Sequence, residues 1–513
     1  MTALPARDVR WSRAVWIVTA AAVVRAIFAA LIPVFPDEAY YWDWSRHLAA
    51  GYFDHPPAIA LLIRFGSALL TPIGLGATPL AIRLGTVVAG WVAAFATIAT
   101  SRRLGGDGAA FRAALVLAVL PLAAAGMVLA TPDVPMLAGI AATIYCLVRA
   151  LESPPASPSS TRWWTLAGAA LGVAFASKYT SIFLPVAVLA TIVLRRDLRV
   201  RLREPGPYIA CLVATLVFSP VLVWNAHHGW ISFVFQVRHG LAAPHGSRLL
   251  AAWRHEGDLF GGQAALASPI LFVLLALAAG RALARRASPT RAVLGAITIL
   301  SYGFFIYSAI RQRVEPNWPS PAYIPAVILL AASPLGGIAA RWLRAGIGLG
   351  ALMCVAIYAQ ALAPILPIAP SKDPIARAFG WAEAAAAADS TARVASESSH
   401  ARTWLGGDRY QEAAELALHA DGAPTTFATN LAGRVNQYEL WPGFAEVART
   451  GDNLVLLLDE TAGPHAAVSA LTPYFGGVVR GPVVELRRGA GVVATRRLWT
   501  LFGWRGGWPA ASR

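Results

Sequence analysis

Long apolar runs separated by short polar breaks fill the first two-thirds of the chain. They lie near 14–34, 80–100, 112–130, 134–151, 162–177, 179–194, 207–225, 264–281, 291–310, 322–340 and 345–363. Each comes near the roughly 17–25 residues with which a helix crosses a hydrocarbon core about 30 Å thick, so the pattern predicts about eleven transmembrane helices. The fifth and sixth runs are short and share the turn SKYT, which makes them a tight pair. From about residue 370 the texture changes. GWAEAAAAADSTARV and DRYQEAAELALHA read as helices, and DNLVLLLDE and GPVVELRR as strands. The division expected is a membrane domain over 1–365, with a first outer loop at 35–79, and a soluble α/β domain over 366–513. SPPASPSS is a polar, proline-rich loop, and no internal repeat is visible.

Composition agrees with a bilayer as solvent: 57% of the 513 residues are hydrophobic and only 14% charged. The net charge of +16 comes from arginines clustered between apolar runs, as in SRRLGG and RRDLRVRLR. That distribution marks cytoplasmic loops and excludes a nucleic-acid surface. Arg7, Arg10 and Arg13 precede the first run, which ends in PVFPDE without a small-residue cleavage site; it reads as an uncleaved first span starting in the cytoplasm. The runs then place Arg102–Arg103, Arg195–Arg203, Arg281–Arg291 and Arg341–Arg344 on the cytoplasmic side. The segment 35–57, TPDVP, SKYT, the loop 226–263 and RQRVEPNWPSP face the other way, and an odd number of spans carries the C-terminal domain outside. Cys146, Cys211 and Cys354 sit inside apolar runs and read as packing residues.

The outer side gathers the chemistry. FPDEAYYWDWSRHLAAGYFDHPP, residues 35–57, holds four carboxylates and two histidines in a charge-poor chain. Asp37 after Pro36 suits a helix cap, with Tyr41, Trp44 and Leu48 on one face in the interfacial belt. Capping does not explain why Glu38, Asp54 and His55 return to the same side within one loop. A carboxylate beside a water-filled cavity can take the proton of a sugar hydroxyl as its oxygen attacks an activated carbon. Asp54 and His55, stiffened by Pro56 and Pro57, could bind a hydroxyl, a phosphate or a divalent ion. Lys178 interrupts an apolar hairpin, where a lysine snorkels or binds an anion. Arg238 and His239 in the loop 226–263 suit an anionic leaving group, or simply face solvent. Glu315, Asn317 and Trp318 among prolines form either a sugar-binding rim or a rigid connector. Asp133 in TPDVP reads as a helix cap. There is no P-loop, no glycine-rich dinucleotide motif and no Asp-x-Asp pair. A site facing away from the cytoplasm is best supplied by a lipid-borne donor, whose phosphate needs cations as it leaves.

In order, PDEAYYWDWSRHLAAGYFDHPP, TPDVP, SKYT, WNAHHGWISFVFQVRHG, EPNWPSPAY and GDRYQEAAEL resemble the bacterial RgtA/B/C/D-like glycosyltransferases, also described as dolichyl-phosphate-mannose-protein-mannosyltransferase-like, of the GT-C superfamily. The resemblance covers most of 14–363 and reaches the outer domain through DRYQEAAEL. It implies an all-α polytopic GT-C fold whose first outer loop forms juxtamembrane helices, with a small C-terminal α/β periplasmic domain. It implies Asp37 as catalytic base with Glu38 beside it. The pair Asp54–His55 is similar to an acid–base–proline cluster in the lipid A aminoarabinose transferases, although His55 stands where those enzymes carry lysine. Lys178 matches a family lysine expected near the lipid phosphate. Metal use varies among relatives, so a divalent cation stays open.

The reading is an inverting glycosyltransferase of the bacterial inner membrane, with its active site in the periplasm. It would move a sugar from a polyprenyl-phosphate donor to lipid A, lipopolysaccharide core or another envelope glycan. Asp37 would act as base, Lys178 and nearby Arg or His groups would meet the phosphate, and Glu38, Asp54 and His55 would orient the sugar or a cation. Two alternatives stand beside it: a protein O-mannosyltransferase-like enzyme, and a lipid or solute transporter. A transporter would show inverted repeats and mid-membrane ionisable sites. Arg25, inside the first span, is the one charge that fits neither scheme.

Overall fold

The computed structural model describes residues 6–240, 248–284, 287–431, 433–460 and 465–509. Every expected apolar run is helical over most of its length. Among the described residues, six helices are long and apolar enough to cross a membrane: Val9–Leu31, Pro79–Val119, Asp133–Glu152, Gly206–His227, Pro289–Ala309 and Gly337–Leu362. A seventh counts if Ala251–Ala267 and Pro269–Ala282, bent by 101°, form one span. The chain is a multi-pass, mostly helical membrane protein.

Three expectations change. The runs 80–100 and 112–130 share the single stretch Pro79–Val119, broken at Gly105 and Gly106, where Gly106 has φ 71° and so favours glycine. The run 322–340 shortens to Tyr323–Ala332, because Ser333 turns extended ahead of Pro334. The connector 226–263, read as a loop, contains the helices Ile231–Gly240 and Arg248–Ala267.

Small residues bring the spanning helices close. A Cβ on Gly139 would lie 2.8 Å from Ala174, and one on Gly168 would lie 2.4 Å from the Ala210 carbonyl, so these backbones meet directly. Arg25 also has a structural explanation. The residue four beyond Leu117 is Pro121, which has no N–H, and the Arg25 guanidinium donates to the orphaned Leu117 carbonyl at 3.4 Å.

The arginine loops meet at one end of the bundle. Arg103 bonds Glu152, Arg112 the Ala331 carbonyl, Arg291 the Ala332 carbonyl and Arg195 the Ala287 carbonyl. Helix Asp133–Glu152 runs from this end to the opposite one, roughly 30 Å away at about 1.5 Å per residue.

The C-terminal region holds a five-stranded sheet of β1 (Thr403–Gly407), β2 (Thr426–Ala428), β3 (Asn453–Asp459), β4 (Phe475–Arg488) and β5 (Gly491–Trp504), ordered β2-β1-β3-β5-β4. β1 lies parallel to β2 and β3, whereas β5 is antiparallel to β3 and β4. β3 is apolar on both faces because both are covered. Leu454, Leu456 and Leu458 join a cluster with Trp404 and Phe475, while Val455 and Leu457 pack with Trp381 and Ala388 of helix Trp381–Ser399.

Several contacts fix this region to the bundle. Buried Arg488, at the turn of the β4–β5 hairpin, pairs with Asp373 at 2.8 Å and donates to the Gln360 and Ala361 carbonyls that end helix Gly337–Leu362. Helix Tyr410–His419 lays Ala413, Ala414 and Ala417 against Tyr40 and Trp44 of helix Pro36–Arg46, in one shared apolar cluster.

Candidate active site

The first outer segment folds as two helices, Pro36–Arg46 and Ala58–Leu70. Pro36 begins the first, as proline does well where no N–H is needed. Glu38 is the fastener. It is 1% exposed. Its Oε1 accepts from Arg83 Nε at 2.7 Å and Ala130 N at 2.6 Å, and its Oε2 from the second Arg83 nitrogen and the Phe35 N–H. Arg83, fully buried, also donates to the carbonyls of Ala29, Ile32 and Pro33. Glu38 was expected to orient the sugar or a cation; both its oxygens are occupied, and it lies away from the cavity. Its work is to pin this helix.

Asp37, next along the helix, points the other way, into a cavity of about 1080 Å³. The same cavity is lined by Tyr41, Asp54, His55, Asp133, Lys178, Glu315, Asn317 and Trp318, by Arg377, Tyr410 and Arg434 from beyond the last spanning helix, and by phenylalanines. The structure thus brings together Asp37, Asp54, His55, Lys178, Glu315, Asn317 and Trp318. Arg238 is exposed and does not line the cavity, and the side chain of His239 lies outside the described residues.

Asp37 is solvent-accessible at the cavity, but the protein around it partly desolvates its carboxyl and pushes it above the ordinary aspartate range. The Tyr410 hydroxyl, donating at 3.3 Å, and the charges of Arg377 and Arg434 pull the other way. Tyr410 in turn accepts from Arg434 at 3.4 Å. Arg434 pairs with Asp54 at 2.5 Å; burial lowers its pKa, and the Asp54 charge more than reverses this, so it stays protonated. The other Asp54 oxygen accepts from Tyr40 at 2.8 Å. The result is a chain of contacts, Tyr40–Asp54–Arg434–Tyr410–Asp37, that joins one wall of the cavity to the C-terminal region.

The irregular, bent stretch after helix Pro36–Arg46 is held on three sides. Ser232 and Gln236 donate to the Tyr52 and Asp54 carbonyls, Gln437 accepts from Phe53 N, and Tyr52 stacks on Trp44. On the opposite wall Lys178 binds both Asp133 oxygens, at 2.8 and 3.0 Å. Asn317 and Ser320 also donate to Asp133. Asp133, read as a cap, begins its helix without a capping bond and serves as the counter-ion of Lys178. Arg377 has no ion pair among the described residues, which leaves it the cavity cation open to an incoming anion.

A divalent ion at Asp54 and His55 would displace Tyr40 or Arg434 from Asp54. No group of three or more His, Cys, Asp and Glu side chains arranged to hold a metal occurs among the described residues. Sequence reasoning missed Arg377, Arg434 and Tyr40. Tyr410 was visible only inside DRYQEAAEL, and nothing in the spacing of GRVNQYE marks Arg434 as a neighbour of Asp54 380 positions earlier.

Residues 54–224 match the family described as dolichyl-phosphate-mannose-protein mannosyltransferase. The chain is 27% identical over 295 residues to lipid A galacturonosyltransferase RgtD of Rhizobium johnstonii, an alignment spanning 58% of this chain and only 59% of that protein. ArnT of Cupriavidus metallidurans bound to undecaprenyl phosphate has the same fold, with a TM-score of 0.63 at 16% identity, covering 95% of this chain and 97% of that one. Its apo state gives a TM-score of 0.61 at 17% identity. The chain is thus similar in sequence, over part of its length, to a lipid A galacturonosyltransferase and to the mannosyltransferase family model, and it shares the fold of ArnT.

Proposed function

We propose that the protein is an inverting glycosyltransferase that moves a sugar from a polyprenyl-phosphate donor to lipid A or another envelope glycan at the periplasmic face of the inner membrane. The observation that carries this reading is one cavity with two characters. Its deep wall is apolar, with Phe175, Phe183, Phe218 and Phe304, and its mouth holds Asp37 among cations. A polyprenyl phosphate needs such a pairing of apolar and cationic surface. RgtD acts on lipid A by name, and ArnT, which shares the fold, binds undecaprenyl phosphate.

In this reading the acceptor hydroxyl sits within reach of Asp37, which takes its proton as the oxygen attacks the anomeric carbon. The bond from that carbon to the phosphate oxygen breaks on the opposite side, and the lipid phosphate leaves with the electron pair. Arg377, and Lys178 where it parts from Asp133, take up its charge. Tyr410 keeps the Asp37 carboxylate oriented, and Glu315, Asn317 and Trp318 form the sugar-binding rim. With the N-terminus in the cytoplasm, the arginine-rich loops mark the inner end, and an odd number of crossings carries the 366–513 region outside.

Mass spectrometry of lipid A and envelope glycans from a deletion strain tests the reaction class. The expected result is loss of one sugar from one glycolipid, restored by the wild-type gene. A sugar lost from proteins alone would favour the protein-mannosylating alternative, and an unchanged glycome with a transport defect would favour a transporter.

A further inference from the structure

At the arginine end, far from the cavity just described, a second cleft of about 320 Å³ opens between helices Pro269–Ala282, Pro289–Ala309 and Tyr323–Ala332. Its polar wall is Arg281, Arg291, Ser288 and Ser333, and its apolar wall is Ala278, Ala282 and Leu329. Some arginines at this end have an acid: Arg102 has Asp107, Arg103 has Glu152, Arg195 has Asp197 and Arg201 has Glu204. Arg281 and Arg291 have no ion pair among the described residues. Arg291 spends one nitrogen on the Ala332 carbonyl, and both arginines face the same cleft. Ser288 caps the 21-residue helix Pro289–Ala309, accepting from Arg291 N at 3.4 Å, so the positive end of that helix points the same way.

We infer that this cleft binds the phosphodiester of an anionic phospholipid in the leaflet on the arginine side. Two guanidinium groups with no carboxylate partner among the described residues, together with a helix N-terminus, suit a phosphate, which arginine can meet with two hydrogen bonds at once. The location selects a lipid over free phosphate. The cleft lies where spanning helices end, the depth of lipid headgroups, and its apolar wall continues toward exposed Leu277 and Leu283, along which acyl chains can lie. Basic clefts between helices on the cytoplasmic side are suited to such headgroups.

The test measures lipids retained by the full-length protein, purified from detergent containing equal phosphatidylglycerol and phosphatidylcholine, by native mass spectrometry. Wild type should retain phosphatidylglycerol preferentially. Arg281→Gln should lose about fivefold of that preference, and Arg281→Gln/Arg291→Gln more, because each interfacial arginine contributes about that factor. Among the described residues the Arg281 side chain has no hydrogen bond or ion pair, so its single variant remains informative if the double variant misfolds. Retention that survives millimolar inorganic phosphate supports a lipid site. Displacement by phosphate, or equal retention of the two lipids by wild type and Arg281→Gln, overturns it.

Discussion

The hydroxyl of Tyr410 donates to Asp37 and accepts from Arg434, so one phenol couples the proposed base to the C-terminal region. Burial raises the Asp37 pKa above the ordinary value of about 4, and the Tyr410 bond opposes that rise by stabilising the carboxylate. The acid limb of kcat/KM is therefore expected above the ordinary aspartate range, with activity rising as Asp37 loses its proton. Tyr410→Phe removes the opposing bond. The limb should then move to higher pH, with activity largely kept on its alkaline side. A limb that stays in place, or moves to lower pH, would break the link between these two groups. Asp54 is bonded to Tyr40 and Arg434 and serves as an anchor in this chain of contacts.

At the scale of elements, helix Pro36–Arg46 is held in place by a buried ion pair at its own first turn. Arg83 ties Glu38 to the end of the first span, and Glu38 also takes the Ala130 N–H from the loop before Asp133. Removing one partner of such a pair strands the other charge, at a cost of about 3–5 kcal/mol. Glu38→Gln should lower the thermal midpoint in detergent markedly. An unchanged midpoint would mean the pair does not hold the helix. The sequence shows why this role was hidden: Glu38 stands beside Asp37, and only helix geometry turns neighbouring side chains about 100° apart. Apolar runs were legible because membrane thickness sets their length, and β3 because its apolar run is covered on both faces. The break at Gly105–Gly106 and the helices within 226–263 were not, since hydropathy alone does not distinguish a kinked helix from two or an interfacial helix from a loop. In the site, Asp37, Asp54, His55 and Lys178 were readable as polar groups where apolar runs end. Arg377 and Arg434 were not, because they approach through tertiary docking of a separate fold.

The whole molecule has two charged ends with different tasks. At one, arginines bind helix-end carbonyls and acids and leave Arg281 and Arg291 facing a cleft. At the other, acids and cations meet around a cavity lined in part by residues of the C-terminal region, anchored through Arg488 and helix Tyr410–His419. Transfer is expected to need the domain and the bundle together, on the domain's side of the membrane. The most direct test reconstitutes wild type and Asp37→Asn in vesicles with the soluble domain outward, confirmed by protease access, with polyprenyl-phosphate sugar in the bilayer and lipid acceptor added outside. Wild type should glycosylate the external acceptor, and Asp37→Asn should do so about 10²-fold or more slowly at an unchanged thermal midpoint. Near-normal transfer by Asp37→Asn, or transfer only to acceptor sealed inside, would contradict the assignment of Asp37 as the base of an outward-facing site.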